Sequence, residues 1–202
     1  MTGIPEGITR IALDAMGGDH GPAVTVPAAL KAIEKGEIAV ALVGDRTAIQ
    51  TELEKFDSPA KKLVQVVPAQ GVVEESESPA LAYRFKPRAS IFVSADVVKA
   101  GRADGFVSMG STGASIAAAT VVYGTLDGID RGALGGPVIG YAPNTVIIDL
   151  GTNVDTRPGL LVDFAALGNI MSKLVYKMRF GSHPSRDGYG GDWCQDTDIA
   201  PR

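Results

Sequence analysis

The feature that most constrains the fold is an apolar segment near the N-terminus that runs directly into a glycine-rich loop. Residues 8–13 are mostly apolar, as strands of buried parallel sheets are. In the loop that follows, residues 14–21, Gly17 and Gly18 permit backbone conformations that are closed to other residues and let a ligand approach the main chain. Ligands of open α/β sheets bind at the carboxyl ends of the strands. The segment therefore predicts a binding loop that follows a buried strand.

Strand-like and helix-like segments alternate along the chain. The predicted strands comprise residues 8–13, 38–44, 63–67, 103–108 and 145–150. The predicted helices comprise residues 25–35, 47–55, a segment opened by Ser78 and Pro79, and residues 90–99, 112–123 and 159–178. This alternation predicts βαβ units, and we expect a three-layer α/β/α fold with a mainly parallel sheet. Right-handed crossovers then place the strand ends along one edge of the sheet.

Two further loops of similar design follow predicted strands. Residues 108–114 open a predicted helix that Ser111 or Thr112 can cap, and a helix N-terminus offers free N–H groups and partial positive charge to a phosphate. In residues 149–155, Asn153 can donate to an oxyanion. Each loop alone is equally consistent with an ordinary turn, such as a capped βα turn, a small-residue turn or an Asx turn. Three loops at equivalent strand ends favour one site for an anionic, phosphate-bearing ligand.

The candidate site residues all lie in these three loops. Asp14, His20 and Asn153 are the candidate catalytic residues, because they can exchange a proton or stabilise developing charge. The candidate phosphate- or substrate-binding residues are Met16, Gly17, Gly18, Asp19, Gly21, Ser108, Gly110, Ser111, Thr112, Gly113, Asp149, Gly151 and Asp155. His20 is also consistent with an ordinary surface histidine. No metal site and no cofactor are expected.

Basic side chains near these loops have two interpretations. They could neutralise a bound phosphate, or they could form a solvated charged surface. The residues concerned are Arg84, Lys86, Arg88 and Arg131.

Composition restricts the cellular context and the partners. The 202 residues suffice for one substantial domain, and the formal net charge of −4 gives no basic footprint for nucleic acid. The one cysteine, Cys194, excludes an internal disulfide framework and indicates a cytoplasmic protein. The N-terminus shows no secretory signal, and we expect no apolar stretch long enough to span a membrane.

A regular apolar stripe marks the last predicted helix. Its members, spaced four and three residues apart, are Leu160, Phe164, Leu167, Met171, Leu174 and Met178. Such a stripe is typical of a helix that faces a core, and it also suits helix pairing at a subunit interface.

In their order along residues 8–172, these motifs resemble those of the PlsX family of bacterial phosphate acyltransferases. Besides the three loops, the matching segments are residues 24–27, 42–45, 78–82, 98–104, 128–131 and 161–168. The resemblance implies transfer of a fatty acyl group from acyl carrier protein to inorganic phosphate, which forms acyl phosphate for phospholipid synthesis. It also implies a fold similar to that of isocitrate and isopropylmalate dehydrogenases, a homodimer, and contact with the inner face of the membrane without spanning it. Acyl carrier protein and inorganic phosphate are the partners we expect from it.

The chain departs from the family pattern in its loops and at its end. Met109 and Ser111 stand where the family usually has Ala and Asn, and Thr152 stands where Ala is usual. Residues 179–202 have no periodicity and many turn formers, so we expect an irregular tail unlike the family after an acyltransferase domain of residues 1–178. Because family members are considerably longer, we expect a truncated or frame-shifted chain that has lost the membrane-contacting portion.

Three alternatives to an active acyltransferase stay open. One is an inactive fragment that binds phosphate or acyl carrier protein without turnover. Another is a nicotinamide-dependent dehydrogenase, although the chain lacks the G-x-G-x-x-G pattern of such enzymes. The third is a chain that does not fold stably, because missing strands leave an exposed sheet edge.

Overall fold

The chain divides into two compact units, Met1–Gly124 and Thr125–Arg202. The computed structural model describes residues 7–36, 38–74, 77–137, 145–150, 153 and 156–175. Gly151, Thr152, Asp155 and the predicted tail with Cys194 lie outside the described residues. The domain boundary expected after residue 178 therefore stays a prediction.

A parallel sheet of four strands forms the centre of the first unit. The strands are β1 (Thr9–Asp14), β2 (Ile38–Gly44), β3 (Val64–Pro68) and β4 (Gly105–Val107). Their order in the sheet is β3-β2-β1-β4, so β1 lies between two strands that come later in the chain. Asp14 is opposite Val43 on β2, and Leu13 is opposite Val107 on β4, which brings the loops after β1 and β4 to the same edge.

Helices cover both faces of this sheet. They are α1 (Pro22–Lys35), α2 (Arg46–Glu54), α3 (Pro79–Phe85), α4 (Ser90–Lys99) and α5 (Thr112–Tyr123). Val26 of α1 packs with Leu42 on one face, whereas Val97 of α4 packs with Val43 on the other, because successive strand residues point to opposite sides. This confirms the expected three-layer α/β/α fold with a mainly parallel sheet.

Local capping explains where the helices begin. Asp45 accepts a hydrogen bond from Ala48 N–H at 2.8 Å and starts α2, and Ser111 accepts from Ala114 N–H at 3.4 Å and starts α5. The prediction that the first long helix starts at residue 25 was wrong. Gly21 has φ 48°, Pro22 follows as the first helical residue, and α1 therefore starts there.

The second unit contains a short antiparallel sheet and one long helix. Strand β5 (Gly135–Pro137) pairs with β6 (Val146–Ile148), and α6 (Pro158–Ile170) continues as a π-helical segment, Met171–Val175. The alternation of predicted elements implied that residues 145–150 belong to the parallel sheet. That placement was wrong, because β6 pairs with β5 in a separate sheet.

The apolar stripe of α6 is partly buried. Leu160 and Phe164 are buried, whereas Leu174 is 75% exposed. The core-facing interpretation therefore holds for the first half of the helix. For the second half, the structure leaves the apolar side chain of Leu174 uncovered.

One helical stretch among the described residues, Pro158–Val175, is long and apolar enough to cross a membrane by length and composition. Its mean hydropathy is 1.2 and 22% of it is buried. The expectation that no stretch reaches this length was wrong. A core helix of a soluble protein meets the same criteria, so no membrane span is assigned on this ground.

Candidate functional site

The loops after β1 and β4 are joined by a hydrogen bond to a buried carboxylate. Ser108 Oγ donates to Asp14 Oδ2 at 2.8 Å, although the two residues are 94 positions apart in the sequence. Asp14 is only 2% exposed. Its other carboxylate oxygen accepts from Met16 N–H at 3.2 Å, and Ser108 Oγ accepts from Gly110 N–H at 3.0 Å. This chain of bonds fixes the two loops against each other.

Gly17 is required by the close approach of these loops. A Cβ atom at this position would lie 2.9 Å from each of Asp14 Oδ2, Gly110 N and Ser108 Oγ. At Gly18, which has φ +82°, a Cβ atom would lie 3.3 Å from Met109 Cβ. The sequence argument proposed that these glycines open the backbone to a ligand. The structure assigns Gly17 a further role, since its bare Cα lets the second loop pack on the first.

A cavity of about 490 Å³ opens where the two loops meet. Its polar lining comes from both loops and from the first turn of α5, and comprises Gly18, Asp19, Gly110, Ser111 and Thr112. The first turn of a helix carries unpaired N–H groups and partial positive charge, which favour an anion. The cavity volume lies within the range of about 300–1,000 Å³ that is usual for small-molecule sites.

The remaining lining is partly apolar and partly acidic. Met16, Val72, Val73 and Met109 supply apolar surface, and Glu74 adds a carboxylate. Because Asp19 and Glu74 would repel a negative ligand, an anion fits the α5 side of the cavity.

The segment after β3 forms a wall of the cavity that the sequence argument missed. Lys86 Nζ donates to Val72 C=O at 3.0 Å and to the Glu77 carboxylate at 2.8 Å. Glu77 in turn accepts from Glu74 N–H at 2.8 Å. The bond from Lys86 and the bond from the Glu74 N–H hold the pKa of the Glu77 carboxyl below its ordinary value. Lys86, a candidate phosphate neutraliser, is therefore engaged in holding this wall.

Other predicted residues lie outside the cavity lining. His20 is exposed in the first loop, and Gly21 is the residue before the first turn of α1. Gly113 is half-buried within α5, and the side chains of Arg84 and Arg88 are exposed.

The third predicted loop lies in the second unit and is held by its own residues. Asp149 adopts φ 65°, which is uncommon for a residue other than glycine. The backbone N–H and the side-chain Nδ2 of Asn153 each donate to Asp149 Oδ1 at 3.1 Å. Nδ2 also contacts Gly132 C=O at 3.4 Å. The side chain of Asn153 thus stabilises the loop in this structure.

A second cavity of about 450 Å³ adjoins this loop in the second unit. Its lining includes Arg131, one of the candidate basic residues, together with Arg157 at the start of α6. Asp130 contributes an acid to the same cavity. Over the described ranges of the chain, no group of three or more His, Cys, Asp or Glu residues is placed to hold a metal ion.

Known proteins are similar to this chain along most of its length. The family model described as fatty acid synthesis protein matches residues 9–182. The phosphate acyltransferase of Picosynechococcus sp. is 45% identical over 168 residues, which are 82% of this chain and 46% of that protein. The phosphate acyltransferase of Thermosynechococcus vestitus is 45% identical over 193 residues, which are 95% of this chain and 55% of that protein.

A further relative extends the comparison. The phosphate acyltransferase of Cyanothece sp. is 41% identical over 198 residues, which are 96% of this chain and 56% of that protein. The chain spans about half the length of the curated relatives it matches. The motifs around Asp14, Ser108 and Asp149 fall within the matched residues, and the chain therefore belongs to the PlsX family of fatty acid synthesis proteins.

Proposed function

We propose that this chain transfers a fatty acyl group from acyl carrier protein to inorganic phosphate, with the cavity between the first two loops as the phosphate site. The observation that carries the proposal is the convergence of Gly18, Gly110 and the first turn of α5 on one cavity in a chain of this family. Its relatives carry the name phosphate acyltransferase. Phosphate suits a helix N-terminus whose N–H groups have no intrahelical partner.

The reaction requires phosphate to attack a thioester. A phosphate oxygen forms a bond to the acyl carbonyl carbon, and the bond between that carbon and the carrier sulfur breaks. The phosphate hydroxyl loses its proton, and the leaving thiolate takes up a proton, so that acyl phosphate and free carrier thiol result. Holding the two reactants together supplies much of such a rate enhancement, and N–H donors aimed at the carbonyl oxygen supply more.

Within this proposal, the loop residues have different roles. Ser111 and Thr112 at the start of α5 bind phosphate. Asp14 acts as a positioning residue, because both of its carboxylate oxygens accept hydrogen bonds inside the protein. Asp19 lines the cavity and is placed to exchange a proton with bound reactants. His20 and Asn153 stay predicted catalytic residues whose tests are their alanine variants.

The wider biological setting follows the family. Acyl phosphate would serve phospholipid synthesis, acyl carrier protein would deliver the acyl group, and the protein would act in the cytoplasm at the inner face of the membrane. A homodimer belongs to the same proposal. Each of these points rests on the family resemblance.

The experiment measures the free thiol released from acyl carrier protein that is loaded with a long-chain acyl group. The loaded carrier is incubated with the 202-residue chain, with and without phosphate. Thiol release that requires both the chain and phosphate is the expected result. Calorimetry with inorganic phosphate runs in parallel. Phosphate binding without thiol release would support the alternative of a binding protein without turnover. A folded sample with neither activity nor phosphate binding would contradict the proposal.

Two controls complete the design. His20→Ala or Asn153→Ala variants that kept full turnover would remove those residues from the mechanism. Titration with nicotinamide cofactors tests the dehydrogenase alternative, and we expect no binding because the chain lacks the dinucleotide fingerprint.

A further inference from the structure

Met109 occupies an unusual place in the candidate site. It lies between Ser108 and Gly110, which belong to the hydrogen-bonded network, and it lines the cavity. Its backbone and Cβ pack against Gly18 of the first loop. The residue is nevertheless 68% exposed, so its side chain lies at the mouth of the cavity.

The cavity has further apolar lining. Val72 and Val73 come from the segment that Lys86 holds in place, and both line the cavity. Met16 lies deeper, where a Cβ atom on Gly44 would be 2.7 Å from Met16 Cγ, so its side chain is packed against β2. Of the two methionines, Met109 is therefore the one with freedom to adapt its shape to a ligand.

We infer that Met109 contacts the acyl chain where the chain passes the mouth of the cavity, and that this contact makes the site prefer longer chains; this inference rests on the proposed function. The reacting carbonyl has to touch a phosphate held at the start of α5, on the polar side of the cavity. The hydrocarbon attached to that carbonyl then leaves the cavity through the mouth, past Met109 and Val72. Single exposed apolar side chains are ordinary on protein surfaces. This one shares a cavity with the N–H groups that would bind the phosphate.

The test uses stable analogues of acyl phosphate and does not depend on turnover. Calorimetry measures the affinity of the 202-residue chain for inorganic phosphate and for butyl, hexyl and octyl phosphate. A fully buried methylene contributes roughly a fourfold gain in affinity. With partial burial at the mouth, we expect octyl phosphate to bind roughly tenfold more tightly than inorganic phosphate.

Three variants test whether the gain in affinity for octyl phosphate comes from the Met109 side chain. Met109→Ala should reduce the gain to roughly threefold or less, and Met109→Leu should restore most of it. Phe85→Ala is the matched control, since Phe85 is 73% exposed and is not among the residues that line the cavity. In parallel, ¹³C-methyl NMR of the five methionines should show the Met109 methyl shifting with octyl phosphate far more than with inorganic phosphate.

The outcomes separate the inference from the function on which it rests. If inorganic phosphate binds but chain length has no effect, or if Met109→Ala keeps the full gain, the inference fails and the phosphate site stands. If neither inorganic nor alkyl phosphates bind to a folded sample, both the proposed function and the inference about Met109 are contradicted.

Discussion

Strands β1 and β4 are joined at both of their ends, by two very different contacts. At the carboxyl end, Ser108 donates to the buried carboxylate of Asp14. At the amino end, Arg10 Nη2 donates to Asp104 Oδ1 at 2.6 Å, and Arg10 N–H donates to Asp104 Oδ2 at 2.8 Å. Both contacts join residues that are 94 positions apart. They differ in chemistry and in environment, since the amino-end contact is an ion pair whose Arg10 and Asp104 side chains are 31% and 44% exposed.

Exposure to water decides how much each contact stabilises the strand pair. An exposed ion pair gains little free energy, since water and salt screen it and would replace it if it broke. The Asp14 carboxylate is buried, so water hydrates it poorly when it loses a partner, and removing that partner costs desolvation free energy of the carboxylate. The exposed ion pair at the amino end therefore contributes little to holding the two strands together. The carboxyl end determines the geometry of the candidate site.

The largest effect should come from forcing the buried end apart. In Gly17→Ala, the new methyl group would lie 2.9 Å from three atoms of the Asp14–Ser108–Gly110 network, and backbone and buried groups would have to shift. We expect a loss of about 3 kcal/mol in the free energy of unfolding. Phosphate affinity should fall by more than about tenfold, since misplaced donors lose most of their interaction energy. Denaturant unfolding and phosphate calorimetry measure the two effects.

Gly105→Ala is the matched control for that substitution. Gly105 lies on β4 in the same unit, and the nearest atom to a Cβ there, Ile11 Cδ1, is at an ordinary 4.0 Å. We expect its stability to change by less than about 1 kcal/mol, in either direction. Equal stabilities and phosphate affinities for the two variants would show that the close packing of the loops is unimportant.

The next largest effect should follow from removing the hydroxyl that joins the loops. Ser108→Ala leaves Asp14 Oδ2 and Gly110 N–H without their partner. We expect a loss of about 2 kcal/mol in the free energy of unfolding, together with weaker phosphate binding. Ser115→Ala is the control, because its hydroxyl donates at 3.2 Å to a backbone carbonyl of the same helix start, Ser111 C=O, rather than to a buried carboxylate. A Ser108→Ala loss no greater than that of the control would mean that the hydrogen bond to the buried Asp14 adds no more stability than an ordinary hydroxyl–backbone bond.

Much of the fold was predictable from the sequence because its signals are local. Strand β2 and helices α4 and α5 have the predicted bounds, since apolar runs, capping residues and glycine stops act within a few positions. Strand order is different, because periodicity identifies a strand without identifying its partner. The pairing of β5 with β6 was missed for that reason, and because Gly135, Gly136 and Pro137 have no strand-like pattern.

The loops of the candidate site were predictable because their sequence signals are local, whereas the contact between the loops was not. The sequence indicated Asp14 and Ser108 as loop residues at strand ends. Their contact depends on β1 and β4 being neighbours in the sheet, which no local pattern contains. The part of the cavity lining that contains Val72 could not be predicted from the sequence for a related reason. The hydrogen bond that holds Val72 comes from Lys86, which is 14 positions away. Long-range pairing, rather than any motif, turns these segments into a cavity.

The smallest effect should come from the exposed end of the strand pair, and it should depend on pH. The hydrogen bonds from the Arg10 side chain and backbone lower the pKa of the Asp104 carboxyl from its ordinary 3.8 to about 2. The unfolded chain therefore binds a proton at a higher pH than the folded one. The contribution of Asp104 to stability is present above about pH 4 and is lost as the pH falls toward about 2.

Replacing that carboxyl should therefore flatten the acid limb of the stability curve. Asp104→Asn should lower the free energy of unfolding near pH 7 only slightly, because the pair is exposed, and this small difference from the wild-type chain should disappear as the pH falls from about 4 toward 2. Glu77→Gln is a useful second variant, since Lys86 likewise lowers the pKa of Glu77 and a shallower slope is expected there too. Phosphate affinity should stay at the wild-type value in Asp104→Asn, whose side chain lies at the opposite edge of the sheet from the cavity. A loss of phosphate binding as large as that of Ser108→Ala would mean that both ends of the strand pair position the site, and the contrast between them would fail.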